Sequence, residues 1–287
     1  MDAQMQRSGG GCRGKRSALG SPRVARLGLT TALVLVGAGC SLAFGIRAED
    51  YARGDASAGA DAGPDAGADA GPDAGPVDYC AGAAFCDQFE RSTPLGSWQT
   101  TTVSPGSSLS MTNERARSGT TSLRLTFGTA TPTYALLQTT MQASRKTKLT
   151  FSAYVESAVA RIANIGGLAF GFAGDRTISV YFSALGDSGQ ISVIELEATN
   201  GTNTIYKEIG TTPLVVGRWF ELSIEVDQRN ATPVLSVTSE GATVLDHVAL
   251  AGSFNVVRPL VNFGSGYANA GPAWQIDFDD ARVDITP

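Results

Sequence analysis

The chain has 287 residues and a formal net charge of −5 at pH 7. The charge is unevenly distributed: six arginines and lysines precede Leu27 against one aspartate, so the chain from Cys40 onward carries a net charge of −10. Proteins that bind nucleic acid do so through clustered lysine and arginine side chains. The acidic balance argues against that class of partner, and we expect no nucleic-acid binding.

Residues 1–39 have the pattern of a secretory signal peptide. A basic segment ends at Arg26, and 13 small or apolar residues follow it, Leu27–Gly39. A membrane-spanning helix needs about 20 apolar residues, so this stretch is too short for one and is typical of a signal-peptide core. We therefore expect residues 1–39 to be a signal peptide and the chain to be exported to the cell envelope.

The segment Gly37-Ala38-Gly39-Cys40 resembles the bacterial lipobox, in which a cysteine after small residues is acylated and becomes the new N-terminus. Gly37 departs from that pattern, because an aliphatic residue is usual there. The alternative is ordinary signal cleavage with no lipid on Cys40. The resemblance implies lipidation of Cys40, whose acyl chains would anchor the chain to a membrane with its folded part facing the periplasm or the cell exterior.

Residues 40–76 are predicted to be a disordered stalk. From Gly54 to Pro76 the chain consists almost entirely of aspartate, alanine, glycine and proline. Proline and glycine in every turn prevent a helix, and no side chain here is large enough to be buried against another. The repeated aspartates repel one another, which favours an extended tether.

Two cysteines remain for the folded part of the chain, Cys80 and Cys86. In an oxidising compartment this spacing favours a disulfide that closes a small loop. A metal site is the alternative, but two thiols and one distant histidine supply too few ligands. We expect the disulfide.

Residues 77–287 are predicted to be an all-β domain, because the apolar residues alternate with polar or small ones. The pattern is plain from Leu149 to Val155, from Ile178 to Ala184 and from Phe220 to Val226. Turn signals that contain glycine, asparagine or aspartate separate these runs. Many short strands joined in this way imply an antiparallel β-sandwich of two sheets.

The last predicted strand changes parity. Its apolar side chains occupy even positions up to Phe278 and odd positions from Val283 onward. A strand that keeps one face toward a core can do this only with an inserted residue. We therefore expect a β-bulge near Asp279 and Asp280, and the carboxylates clustered there are a candidate cation site.

Three segments resemble the concanavalin A-like jelly rolls, in particular the laminin-G-like and calcium-containing carbohydrate-binding sandwich modules. They are Phe85–Glu90 followed by Trp98, the turn and strand Arg117–Arg124, and the closing strand Ile276–Val283. They stand at the start, near the start and at the end of the domain. The resemblance implies a jelly roll over residues 77–287, with its first and last strands adjacent.

In such modules a structural Ca²⁺ commonly joins an acid from each of those two strands. The resemblance assigns the metal ligands to Glu90 and Asp279, with Asp87 and Asp277 as substitutes. Calcium takes six to eight oxygen ligands, and backbone carbonyls can complete the shell. The alternative is that these acids are solvated residues at a strand edge, where charge discourages pairing with another chain.

The sequence gives no positive evidence for catalysis. The laminarinase-type glucanases of this fold class carry Glu-x-Asp-x-Glu on one strand, and neither Glu195-Leu-Glu197 nor the run from Glu221 to Asp227 reproduces it. We expect the latter run to be the polar face of a strand. His247 is expected to be a surface residue, since no serine or cysteine motif accompanies it.

We therefore expect a non-catalytic binding module, with carbohydrate or another surface polymer as its partner. A glycan-binding sandwich uses aromatic rings for stacking, and Tyr267 and Trp98 are the residues chosen for that role. Trp219 and Trp274 are expected to be core or rim residues. One alternative is a glycoside hydrolase or polysaccharide lyase of jelly-roll fold, and the other is a structural or protein-contacting envelope component.

Overall fold

The computed structural model describes residues 79–129, 133–172, 176–199, 202–251 and 257–287. The predicted signal peptide, the predicted lipidation site Cys40 and the predicted stalk at residues 40–76 lie outside these ranges. Within them, no helix is long and apolar enough to cross a membrane.

The described residues form fifteen β-strands and no helix. In chain order these are β1 Phe85–Asp87, β2 Thr100–Val103, β3 Ser107–Thr112, β4 Ser122–Phe127, β5 Thr133–Thr140, β6 Lys146–Val155, β7 Ile162–Phe172, β8 Arg176–Leu185, β9 Gln190–Thr199, β10 Thr202–Pro213, β11 Trp219–Asp227, β12 Val234–Ser239, β13 Ala242–Ala249, β14 Pro259–Ala268 and β15 Trp274–Thr286.

The strands make two antiparallel sheets that pack into a sandwich, so the predicted fold class is confirmed. The eight-stranded sheet has the order β13-β12-β11-β6-β15-β4-β3, and β1 pairs with β15 beside this path. The seven-stranded sheet has the order β10-β9-β8-β7-β14-β5-β2. The first and last strands are adjacent, as the resemblance implies, with Phe85 opposite Val283.

The core lies between the sheets and is filled by the inward side chains of the alternating pattern. Phe263 on β14 is at its aromatic centre. The Phe263 ring stacks on Trp98 at 5.2 Å and on Phe89 at 5.6 Å, and it contacts Phe151 edge-on at 5.3 Å. Full burial of such a side chain contributes about 1.5–3 kcal/mol, so this contact set stabilises the packing of one sheet on the other.

The predicted bulge in the last strand is confirmed. Asp279 pairs with Ser152 and Arg282 pairs with Thr150, so the two residues between them face one partner. Asp280 has a φ of 52° at this point. The inserted residue restores the inward orientation after the bulge, which is why the apolar positions change from even to odd.

The predicted disulfide between Cys80 and Cys86 is also confirmed, with a Cα–Cα distance of 5.4 Å. It closes the loop that leads into β1. Tyr79, at the start of this loop, donates a hydrogen bond from its hydroxyl to the Asp280 carbonyl at 2.6 Å. The beginning of the described domain is therefore fastened to the bulge in its last strand.

Alternation leaves each sheet with an outer face that points away from the core. The outer face of the eight-stranded sheet is formed by the outward residues of β1, β3, β4, β6, β11–β13 and β15. We define the outer face of the seven-stranded sheet by the outward residues of β2, β5, β7–β10 and β14. Its principal members are Leu136, Gln138, Asn164, Tyr181, Ser183, Ser192, Ile194, Leu196, Tyr206, Glu208, Asn262 and Tyr267.

Candidate functional site

The carboxylate of Asp279 holds the turn that follows Arg117. Its Oδ2 atom accepts hydrogen bonds from the backbone N–H groups of Arg117 at 2.8 Å and Ser118 at 3.2 Å, and its Oδ1 atom accepts one from Asp280 N–H at 2.9 Å. The Ser118 hydroxyl bonds to the Asp280 carboxylate at 2.6 Å. Burial raises the pKa of Asp279 to about 7, although the N–H groups of Ser118 and Arg117 act to lower it.

Glu90 holds the other end of the same turn. Its carboxylate accepts hydrogen bonds from the N–H groups of Thr120 and Thr121, both at 2.8 Å, and from the Thr120 hydroxyl at 2.7 Å. These bonds lower the pKa of Glu90. Gly119 has a φ of +62°, and a Cβ atom there would overlap the Glu90 carboxylate. The three segments that carry the resemblance therefore meet at one turn, Arg117–Thr121.

The two substitute ligands have hydrogen-bond donors of their own. Asp87 accepts hydrogen bonds from the Trp98 indole at 2.7 Å and from Phe89 N–H at 2.8 Å. Asp277 accepts two hydrogen bonds from one edge of the Arg124 guanidinium, from Nε at 2.7 Å and from Nη2 at 2.9 Å. A bidentate pair of this kind fixes the geometry of both partners.

The arrangement fits a hydrogen-bonded turn better than a calcium ion. Calcium needs six to eight oxygen ligands, whereas the groups that point at Glu90 and Asp279 are mainly N–H donors. Among the described residues, no group of three or more His, Cys, Asp or Glu side chains is arranged to hold a metal. The calcium site stays a prediction, and the function proposed for the chain does not depend on it.

Trp98 lies in the core between the sheets, where a ligand cannot reach it. The prediction that it stacks on a glycan is therefore wrong. Its ring is 3% exposed and stacks on Phe263. Its backbone N–H bonds to the Leu95 carbonyl at 2.8 Å, closing a turn after β1. That turn directs the ring inward, toward Phe85, whose ring lies 4.7 Å away.

Tyr267 lies at the end of β14 and is half-buried. Its side chain is therefore presented by a strand, which ends one residue later at Ala268. Because its neighbour Ala268 belongs to the core, alternation places Tyr267 on the outer face of the seven-stranded sheet.

The other two tryptophans are core or rim residues, as expected. Trp274 is buried in the core, and its indole donates to the Ser157 carbonyl at 2.9 Å. Trp219 is half-buried on the outer face of the eight-stranded sheet, where it packs edge-on against Tyr154 at 5.7 Å. Neither tryptophan contributes to the face that carries Tyr267.

The carboxylates considered for hydrolysis do not come together. Glu195 is on β9 of the seven-stranded sheet, with the inward parity of Val193, and it accepts a hydrogen bond from Ala251 N–H. Burial raises its pKa. Glu225 and Asp227 are on β11 of the other sheet, so the three do not line one groove.

The run from Glu221 to Asp227 is the polar face of a strand, as expected. Glu225 pairs with Lys146 at 2.8 Å, and Asp227 pairs with Arg229. His247 is exposed on β13 beside Asp246, also as expected. None of these side chains touches a partner that would make it a nucleophile or a general base.

The outer face of the seven-stranded sheet holds an apolar cluster that is separate from the core. It consists of Leu136, Tyr181, Ile194 and Leu196, and half-buried Tyr206 packs against it. This cluster was not predicted from the sequence. A signal was present, because β9 has apolar residues at both parities, and a strand of that kind is buried on both faces.

Amides and hydroxyls surround this cluster. The Gln138 amide donates to the Asn262 side-chain oxygen at 2.8 Å, and the Ser192 hydroxyl donates to Glu208 at 2.5 Å. Asn164 is 1% exposed, and neither polar atom of its amide has a hydrogen-bond partner. A buried polar group without a partner costs about 1–3 kcal/mol, so Asn164 is the polar group of this face that most needs one.

A glycine beside Tyr181 makes room for the close approach of the two strands. Gly167 on β7 lies directly across from Tyr181 on β8. A Cβ atom at Gly167 would be 2.7 Å from the Tyr181 Cα atom, closer than real Cβ contacts. The absence of a side chain at this position lets the Tyr181 ring lie near the centre of the sheet.

Comparison with known proteins shows the fold. No family model matches the chain, and no curated protein matches it. Among solved structures, the chain is similar to an endo-β-1,4-glucuronan lyase from the fungus Trichoderma reesei, with a TM-score of 0.54 and 13% identity over 71% of this chain and 96% of that one. At that identity the likeness shows a common fold alone.

Two further solved structures have lower scores and carry no argument. One is alginate lyase vAL-1 from Chlorella virus, with a TM-score of 0.47 and 11% identity over 66% of this chain and 93% of that one. The other is the xylan-binding domain CBM22-1 of Paenibacillus barcinonensis Xyn10C, with a TM-score of 0.39 and 12% identity over 71% and 94%.

Proposed function

We propose that this chain is a non-catalytic carbohydrate-binding module that contacts glycan through the outer face of the seven-stranded sheet. The observation that carries the proposal is half-buried Tyr206 on that face, which packs on an apolar cluster that is itself 0–3% exposed, together with the unpaired amide of Asn164 on the same sheet. Sugar sites combine an apolar surface that packs on pyranose rings with a few polar groups that orient the hydroxyls. On this face half-buried Tyr206 and Tyr267 supply the aromatic surface within reach of a sugar, and the amides and hydroxyls around them supply the polar groups.

The carboxylates argue against glycoside hydrolysis. The reaction needs two carboxyl groups, about 5–5.5 Å apart for retention or about 6.5–9.5 Å apart for inversion. On the outward positions of the described strands in the seven-stranded sheet, Glu208 is the one carboxylate, and it is bonded to Ser192. Glu195 faces inward, so it does not supply the second.

A polysaccharide lyase is the second candidate. The fold shared with the Trichoderma reesei glucuronan lyase and the tyrosines of this face favour it, because a tyrosine can act as a general base. Elimination beside a uronate also needs a positive group that offsets the sugar carboxylate. The outward positions described in the seven strands carry no lysine or arginine, which is why we place binding without turnover first.

We further propose that the domain is displayed at the cell envelope by a lipid on Cys40 and the stalk at residues 40–76. The support is the sequence pattern alone: a basic leader, a short apolar segment and small residues before Cys40. Expression of the full chain and of Cys40→Ser in a bacterium, followed by membrane fractionation and mass analysis of the N-terminal peptide, tests this. A Cys40→Ser variant that stays in the membrane fraction as the parent does would contradict it.

Affinity electrophoresis tests the binding proposal. The detergent-solubilised full chain is run through gels that contain soluble polysaccharides, and parallel incubations are assayed for new reducing ends and for ultraviolet-absorbing unsaturated products. We expect retardation by at least one polymer without product. Product formation would assign the chain to the enzymes. Free migration in every polymer would favour a structural or protein-contacting role.

A further inference from the structure

We infer that the ligand is an uncharged glycan, an inference that rests on the function proposed above. It follows from the charges on the outer face of the seven-stranded sheet. Every outward position described on its strands is apolar, a hydroxyl, an amide or glycine, except Glu208. Arg176 and Lys207, the basic residues of these strands, have the inward parity of Ile178 and Glu195.

The chemistry of this face excludes a polyuronate as the preferred ligand. A sugar carboxylate that leaves water must be paired with a cation or with several strong donors, because an unpaired buried charge is expensive. Glu208 adds a negative charge to the same face and repels such a ligand. Nothing described on the face offsets that repulsion.

The unpaired amide of Asn164 fits a neutral sugar instead. An asparagine side chain offers two N–H donors and one oxygen acceptor. Adjacent hydroxyls of a sugar ring are donors and acceptors at once. Because Asn164 is 1% exposed, a diol satisfies both ends of the amide only when the side chains above it move aside. Asn164 pairs across the ladder with Ser183, which places a hydroxyl-bearing residue beside it on the neighbouring strand.

Matched polymers test the inference with the full chain. Hydroxyethyl cellulose is compared with carboxymethyl cellulose, and methyl-esterified polygalacturonate with the free acid, beside β-glucan, arabinoxylan and galactomannan as neutral probes. We expect retardation only by neutral polymers, with no dependence on ionic strength. Preferential retardation by the anionic member of a pair would overturn this inference and leave the proposed function standing. No retardation by any polymer would overturn both.

Single substitutions test whether the glycan contacts the outer face of the seven-stranded sheet. Asn164→Ala is expected to weaken binding of the retained neutral polymer about tenfold, the loss of one or two hydrogen bonds, without lowering the unfolding midpoint. Gln275→Ala is the control, because that amide is exposed on the eight-stranded sheet. Thr177→Lys, at an exposed outward position of β8, is expected to create salt-sensitive retention on free polygalacturonate. Equal loss from Asn164→Ala and Gln275→Ala would contradict the assignment.

Discussion

The two outer faces of the sandwich differ in how their polar groups are satisfied. On the eight-stranded sheet, charges of opposite sign pair with one another: Arg124 with Asp277 at 2.7 Å and Lys146 with Glu225 at 2.8 Å. On the seven-stranded sheet, the described outward residues are tyrosines, aliphatics, glycines, amides and hydroxyls around Asn164, with Glu208 as the one carboxylate. The charged groups named on the first face have partners within the domain, whereas the second face has Asn164, a polar group without a partner. That difference is why we place the ligand on the second face.

The largest expected effect is a loss of stability when an ion pair on the eight-stranded sheet is removed. Asp277 is 2% exposed and accepts two hydrogen bonds from Arg124. Asp277→Ala leaves the guanidinium without its main partner and is expected to lower the free energy of unfolding by about 3–5 kcal/mol. Urea denaturation measures this. Lys146→Ala, which removes a more exposed pair, should cost about 1 kcal/mol or less, and equal losses would show that burial does not matter.

Matched tyrosines on the two faces give the next effect. Tyr206 packs at the rim of the apolar cluster, and Tyr154 packs against Trp219 on the opposite face of the sandwich. Tyr206→Ala is expected to weaken retention by a neutral glycan about tenfold, because an aromatic contact is worth about 0.5–1.5 kcal/mol beyond its buried area. Tyr154→Ala should leave retention unchanged. The reverse result would move the ligand to the eight-stranded sheet.

Glu195 is the inward carboxylate of the seven-stranded sheet, and it predicts a dependence on pH. Its pKa is raised by burial, so the folded state holds the proton more tightly than the unfolded state. The unfolded state then releases its proton first as pH rises from about 4, and the free energy of unfolding falls with pH over that window. Glu195→Gln keeps an acceptor for Ala251 N–H and removes this loss.

The measurement is the difference in unfolding free energy between the parent chain and Glu195→Gln at a series of pH values. The free energy of unfolding of the variant is expected to increase relative to that of the parent as pH rises toward neutrality. A difference that stays constant from pH 4 to neutrality would show that Glu195 titrates in the folded state as it does in the unfolded chain.

Calcium is expected to have the smallest effect on either face. Calcium at a concentration 100 times the dissociation constant of its site would add about 2.7 kcal/mol to the free energy of unfolding. Because Glu90 and Asp279 already accept hydrogen bonds from the turn at Arg117–Thr121, we expect the unfolding midpoint to be the same in calcium and in chelator. A midpoint raised by calcium would show that the carboxylates exchange their N–H donors for the ion.

Sequence patterns were sufficient for the fold. The strand period of two defined the sandwich, and the change of parity after Phe278 located the bulge, because both follow from which side of a strand faces the core. The disulfide was predicted from the spacing of Cys80 and Cys86 and from the expectation of an oxidising compartment. These features depend on local sequence, and the structure confirms each of them.

The candidate site could not be predicted in the same way. Its residues come from strands that are distant in sequence, and only the order β10-β9-β8-β7-β14-β5 brings Tyr206, Asn164 and Leu136 onto one face. Trp98 was misplaced for a related reason, since a turn that ends on the residue itself decides which way its ring points. The apolar residues Ile194 and Leu196 were the one local sign that β9 is buried on both faces.

Hydrogen–deuterium exchange of the full chain, with and without the neutral polymer that retards it, tests the ligand face most directly. The account predicts slower exchange in peptides from β7 to β10 and β14, with β4, β6 and β11 unchanged. Protection confined to the strands of the eight-stranded sheet, or no protection in a complex that migrates as bound, would contradict it.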